Sequence, residues 1–150
     1  MREFASLADL TGAAGEHLGY SSWHEVTQEQ VNQFADATGD HQWIHVVVDR
    51  AKAGPFGTTI AHGYLVLSLL PMLASEVYRV GGVRMGINYG LNRVRFPNPV
   101  ATGSRVRAGV ELVSVDQIDG GVQIVSKVTV ELDGAEKPCC VAEAVSRFLG

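Results

Sequence analysis

Apolar residues recur along the second half of the chain with a period of two. Val106, Ala108, Val110 and Leu112 alternate with Arg105, Arg107 and Glu111, and Val122, Ile124, Val128, Val130 and Leu132 alternate with Gln123, Lys127, Thr129 and Glu131. Successive side chains of a strand point to opposite faces, so this pattern predicts strands over 104–115 and 122–132, each with one face buried. Asp119-Gly120-Gly121 and Asp133-Gly134 supply the turns between them. A strand over 85–94 ends at Phe96-Pro97-Asn98-Pro99, and 137–148 forms the last one. The expectation is an antiparallel meander covered on one side.

The first half carries helical periodicity. Thr27-Gln28-Glu29-Gln30 reads as a capping box, with Thr27 as N-cap and Gln30 reaching back to it. Val31, Phe34, Ala35 and Thr38 then recur at helical spacing, and Gly39 suits the position past a helix end where φ is positive. This short helix delivers Asp40 into a loop. Asp49-Arg50-Ala51-Lys52 predicts a polar turn or short helix, and Gly54-Pro55-Phe56-Gly57 a turn. From Tyr64 to Ala74 the chain is apolar on almost every side, which predicts a helix buried all round, with Pro71 bending it or resetting its hydrogen bonding. Residues 17–26 predict a first strand, and residues 1–16 read as a loosely patterned lead-in. A single α+β domain spanning 1–150 follows, its sheet wrapped on the apolar helix.

Composition narrows the function classes. The 150 residues are 46% hydrophobic and 19% charged, ordinary for a globular chain long enough to bury a core without staples. A net charge of -4 and a pI near 5.7 argue against nucleic acid or an anionic membrane as partner. The start, Met1-Arg2-Glu3-Phe4-Ala5, lacks the basic-then-apolar order of a signal peptide, and the apolar run is too short to span a bilayer. Adjacent Cys139 and Cys140 are expected as reduced structural thiols, so a cytoplasmic protein is expected.

The candidate chemistry sits in Gly39-Asp40-His41-Gln42-Trp43-Ile44-His45 and in Ile60-Ala61-His62-Gly63. An acid and an imidazole five residues apart provide proton transfer near neutral pH. Gly63 opens the apolar helix, where free N–H groups favour developing negative charge and a missing side chain permits close approach. His62 either positions this turn or lines a pocket. No metal centre is expected: Asp40, His41, His45 and His62 offer ligands, but His-Glu-x-x-His or paired Cys-x-x-Cys spacing is lacking.

These two segments resemble the MaoC-like (R)-specific enoyl-CoA hydratases, whose pattern is Gly-Asp-x-Asn-Pro-(Ile/Leu)-His with an Ala-His-Gly-like segment downstream. Gln42 and Trp43 stand where that family usually has Asn and Pro. The resemblance implies a hot-dog fold, a curved antiparallel sheet around a long central helix. It also implies reversible hydration of a trans-2-enoyl thioester to the (3R)-3-hydroxyacyl thioester. By that resemblance Asp40 and His45 hold the catalytic water and share the proton transfers, while the Gly63 N–H receives the thioester oxygen and His62 stands beside it. The implied partners are acyl-CoA, or an acyl-carrier protein thioester, and a second copy of the chain as a homodimer. No cofactor is implied beyond the coenzyme A of the substrate. A hot-dog acyl-CoA thioesterase and a non-catalytic acyl-thioester binding subunit are the alternative readings. Arg93 and Arg95 fit the phosphates of coenzyme A about as well as they fit solvated edge charges.

Overall fold

Strands β5 (Met85–Arg95), β6 (Arg105–Ile118), β7 (Gly121–Leu132) and β8 (Cys140–Leu149) form where the alternation predicts them. They belong to a computed structural model that describes residues 1–150. β6, β7 and β8 make the expected antiparallel meander, but β5 joins it at the far side, antiparallel to β8. With β2 (His17–Tyr20) the sheet order is β2-β6-β7-β8-β5. Residues 96–104 therefore cross from one edge of the sheet to β6, next to the opposite edge, and β5 is left as an edge strand.

The predicted strand over 17–26 is two strands, β2 and β3 (His24–Glu25), both paired with β6. Buried Ser21 breaks it. Its N–H donates to the Ala108 carbonyl as a strand residue would, but its side-chain oxygen, not its carbonyl, accepts the Ala108 N–H at 2.9 Å. The lead-in is also structured, against expectation. β1 (Arg2–Phe4) runs parallel to β4 (Tyr78–Val80). Then α1 (Leu7–Thr11) is capped by the Ser6 hydroxyl and buries Leu10 completely. Its apolar content is too sparse to show a period, so only the tertiary contacts reveal it.

Helix α2 (Gln28–Thr38) starts at Thr27, whose hydroxyl accepts the Gln30 N–H, and ends at Gly39 with φ of 80°. The reciprocal half of the capping box is not formed, because the Gln30 side chain bonds His24 Nε2 at 3.1 Å instead. Two short helices follow, α3 (Trp43–Val46) and α4 (Val48–Lys52).

The central helix is broken into α5 (Gly63–Ser68) and α6 (Leu70–Val77), joined by Leu69 in helical conformation. The winding continues, since the Leu69 N–H reaches the Leu65 carbonyl and the Leu73 N–H reaches that of Leu69. Pro71 has no N–H to offer the Leu67 carbonyl, which explains the interruption. The expectation of burial all round is corrected. Leu65, Val66, Leu69, Leu70, Leu73 and Val77 enter the core, while Tyr64, Ser68, Pro71, Met72 and Ser75 face outward. The sheet covers only one side of the helix within a single chain. Against it lie Val106, Ala108, Val110 and Leu112 of β6 and Val122, Ile124, Val128 and Val130 of β7. No helix is long and apolar enough to cross a membrane.

Candidate active site

Gly39 ends α2 so that Asp40 emerges at its C-terminus. The Asp40 carboxylate accepts the Gln42 N–H at 3.4 Å, a local turn that redirects the chain into α3. One turn later His45 points inward and is buried. Its Nδ1–H donates to the Ile60 carbonyl at 2.7 Å. A carbonyl can only accept, so Nδ1 carries the proton and Nε2 keeps a free lone pair. Burial pushes the His45 pKa below its ordinary 6.5, and the neighbouring His62 acts in the same direction. The Ile60 carbonyl and the Asp40 carboxylate oppose the shift without cancelling it. His45 is thus a neutral imidazole with its basic nitrogen available.

His62 is buried beside it. The ring centroids are 3.8 Å apart and the planes 22° from parallel, with Phe34 against the His62 ring at 5.0 Å. His62 Nε2–H donates to the Asp40 backbone carbonyl at 3.0 Å, which ties the helix start to the acid's loop. Its Nδ1 is buried with no partner. Asp40, His45 and His62 each offer one polar atom, and these lie within 4.8 Å of one another. A water accepting and donating at about 2.8 Å in tetrahedral geometry spans roughly 4.6 Å between its partners, so one water fits between the acid and the base.

A metal ion would have to draw on the same three residues. Two imidazoles on one zinc need lone pairs that converge on a point about 2.0 Å from each nitrogen. Stacked rings direct their in-plane lone pairs side by side, so the arrangement fits a shared water better than a shared cation.

Gly63 opens α5, and its N–H has no carbonyl four residues back within the helix. The Phe96 ring lies directly on it: a Cβ at Gly63 would come within 2.9 Å of Cδ2. A concavity of about 290 Å³ surrounds this point, lined in part by His45, Ile60, Gly63, Val66, Phe96 and Asn98. A larger cavity of about 460 Å³ lies between the two helix segments and the sheet, walled by Leu67, Leu70, Ala74, Leu91, Val110 and Val128 among others. Consecutive residues Val66 and Leu67 line the two.

Supports that the sequence did not advertise complete the site. The Gln28 side-chain amide donates to the His45 carbonyl at 2.8 Å, while its oxygen accepts the Thr59 hydroxyl. Thr59 is itself paired with Thr102 at 2.6 Å. A glutamine in the first turn of a helix gives no sequence signal for such a role. Trp43 packs against Gly54 and under the Arg50 guanidinium, 4.3 Å from the ring, and the Asp40–His45 approach survives its bulk.

Known proteins resemble this chain over most of its length. Residues 9–134 match the family described as MaoC like domain. The chain belongs to that MaoC-like family. It is a hydro-lyase with a hot-dog fold. It is 59% identical over 150 residues to 3-hydroxyacyl-thioester dehydratase Z of Mycobacterium tuberculosis, covering 99% of each chain. It is 47% identical over 145 residues to nodulation protein N of Rhizobium leguminosarum bv. viciae, covering 94% of this chain and 89% of that one. The R-hydratase PhaJ1 from Pseudomonas aeruginosa superimposes with a TM-score of 0.74 at 22% identity, covering 97% and 86% of the respective chains.

Proposed function

We propose that this MaoC-like hydro-lyase adds water to trans-2-enoyl-CoA, giving (3R)-3-hydroxyacyl-CoA, and removes it in the reverse direction. The observation that carries the reading is the neutral His45, its tautomer set by Ile60, within 4.8 Å of Asp40. Asp40 accepts a hydrogen bond from the water and orients it. His45 Nε2 takes the water's other proton as its oxygen bonds to C3. The double-bond electrons move toward the thioester oxygen, which receives the Gly63 N–H. C2 then takes the proton back from His45, so the addition is balanced and the base is restored. One positioned base of this kind is worth about 10²–10⁴-fold. His62 holds the Asp40 carbonyl and is a positioning residue. The name dehydratase Z of the mycobacterial relative supports the thioester substrate, and the (3R) outcome follows the resemblance carried by Gly39–His45.

The cavity between helix and sheet accommodates the acyl chain, and a second copy of this chain closes it. β5 is exposed along nearly its whole length, with Met85, Ile87, Tyr89 and Leu91 uncovered. Tyr64, 69% exposed, and Met72 are likewise uncovered on the helix. An edge strand this apolar is an open pairing surface. Light scattering would read a dimer, and Tyr89→Lys would shift it toward monomer. The free thiols Cys139 and Cys140 suit a reducing cytoplasm.

The test is hydration of a short and a medium trans-2-enoyl-CoA, followed by loss of the conjugated absorbance with chiral analysis of the product. Turnover to the (3R) product, lost in folded Asp40→Asn and His45→Gln, is the expected result. Release of free thiol instead of hydration would replace this reading with the thioesterase, and binding without turnover with the binding subunit.

A further inference from the structure

The core-facing positions of β7 are Val122, Ile124, Ser126, Val128 and Val130, an aliphatic row interrupted by one hydroxyl. Ser126 is 6% exposed. The other buried polar side chains are held in place. Ser21 accepts the Ala108 N–H, His45 and His62 donate to the carbonyls of Ile60 and Asp40, and Thr59 pairs with Gln28 and Thr102. Ser126 instead meets the phenol of Tyr78, which follows directly on α6. Phe4 and Phe148 fix the Tyr78 ring, with centroids 6.4 and 6.5 Å away.

Both hydroxyls line the cavity of about 460 Å³ between the helix segments and the sheet. Burial pushes the Tyr78 hydroxyl up to about 12, so it is a neutral donor at pH 7. Two hydroxyls carry two donor hydrogens, and a bond between them uses one. The second is left for an acceptor in the cavity. The rest of the wall offers little competition: Ser68 donates to the Tyr64 carbonyl, and Asn88 and Ser146 face each other in register toward the rim. The lining holds no ionisable side chain besides Tyr78, so a charged group there would be buried unpaired.

The pair lies at a definite distance from the concavity at Gly63. Cys139 lines that concavity, and its N–H donates to the Val130 carbonyl. From Val130 to Ser126 along β7 is about 13 Å, and from Leu67 to Tyr78 along the helix about 16 Å. An extended chain advances about 1.2 Å per bond, so both routes equal roughly ten to thirteen bonds. A further concavity of about 350 Å³ shares Pro71, Ala74, Tyr78, Asn88 and Ser146 and continues past them between α6 and β5. Tyr78 therefore stands along the path and not at its end.

We propose that the acyl chain this enzyme takes carries a neutral oxygen, a keto or hydroxyl group, about ten to thirteen bonds from the thioester, bound by the Tyr78 and Ser126 hydroxyls. The proposal rests on the acyl-thioester reading above and adds the chemistry of the acyl group. A plain alkyl chain leaves the hydroxyl donor without a partner, so the pair selects against it.

The experiment compares hydration of trans-2-tetradecenoyl-CoA with that of its 10-, 11-, 12- and 13-oxo forms, alongside calorimetric titration with the saturated counterparts. The best-placed oxo form is expected to exceed the plain chain about fivefold in kcat/KM, through KM and with kcat unchanged. Tyr78→Phe and Ser126→Ala should each bring that ratio close to one while leaving the plain chain at its wild-type value or better. Damage to the fold would lower both substrates together and keep the ratio. Wild type that prefers no oxo form, or variants that retain the preference, overturn the proposal, and the pair then holds water only. Tighter, Tyr78-dependent binding of a saturated oxo-acyl-CoA without hydration of any enoyl form would leave the proposal standing and overturn the hydratase reading alone.

Discussion

Replacing Gly63 by alanine tests how closely the site is built. Gly63 has an ordinary negative φ, so alanine is conformationally acceptable there. Its Cβ would meet Phe96 at 2.9 Å from Cδ2 and 3.1 Å from both Cε2 and Cγ. Carbon atoms rest about 3.5–4.0 Å apart, so the ring must retreat by roughly 0.5–1 Å. Tyr64, edge-on to Phe96 at 6.2 Å, moves with it. Overpacking of this kind costs about 1–3 kcal/mol, and alanine's helix preference returns up to about 1 kcal/mol. The net loss is about 0–3 kcal/mol, a fall of up to roughly 12 °C in Tm for a domain of this size. The larger effect is on catalysis: with the N–H displaced or its approach blocked, kcat should fall by about 10²-fold. Thermal unfolding and enoyl-CoA hydration read the two effects. Gly63→Ala/Phe96→Leu should recover most of the stability and part of kcat. Wild-type kcat in the single variant, or no recovery in the double variant, would refute the reasoning.

The pH dependence follows from His45. Its folded pKa lies below the unfolded 6.5, so between those values the unfolded chain binds more protons, and stability declines as pH falls through that window. The kcat/KM profile should fall with protonation of the same group, below pH 6.5, and His45→Gln should flatten the stability slope, both measurable by paired denaturant and rate titrations. Gln28→Ala removes the donor to the His45 carbonyl and the acceptor of the buried Thr59 hydroxyl. It should lose about 1–3 kcal/mol in urea unfolding with kcat reduced alongside, and an unchanged kcat would remove Gln28 from the positioning network. Burial pushes Cys139 to about 12, with Cys140 adding to it, and Cys140 itself to about 11. A thiol reagent at neutral pH should leave both untouched in the native protein and modify two thiols after denaturation; rapid native labelling would contradict their burial.

The local sequence was sufficient for features that depend on local chemistry. Alternation over 105–132 gave the meander because a strand's side-chain period is a property of its backbone. The Thr27 cap and Gly39 stop were legible because a hydroxyl acceptor and a positive φ are local needs. Asp40, His45 and Gly63 were legible as a motif. Tertiary structure decided the rest. β5 lies beside β8 because long-range pairing is not encoded in any window of sequence. The lead-in became β1 and α1 because Phe4 and Leu10 found the core, and no period announced it. The apolar run at Tyr64–Ala74 could not show that only one side of it is covered, since burial depends on what packs against each face. The tautomer of His45 on which its proposed role as base rests likewise came from space: a carbonyl fifteen residues away holds its proton, and a ring from the next element stacks on it. Residue types state which chemistry is available; packing sets the tautomer, the burial and the distance that select among them.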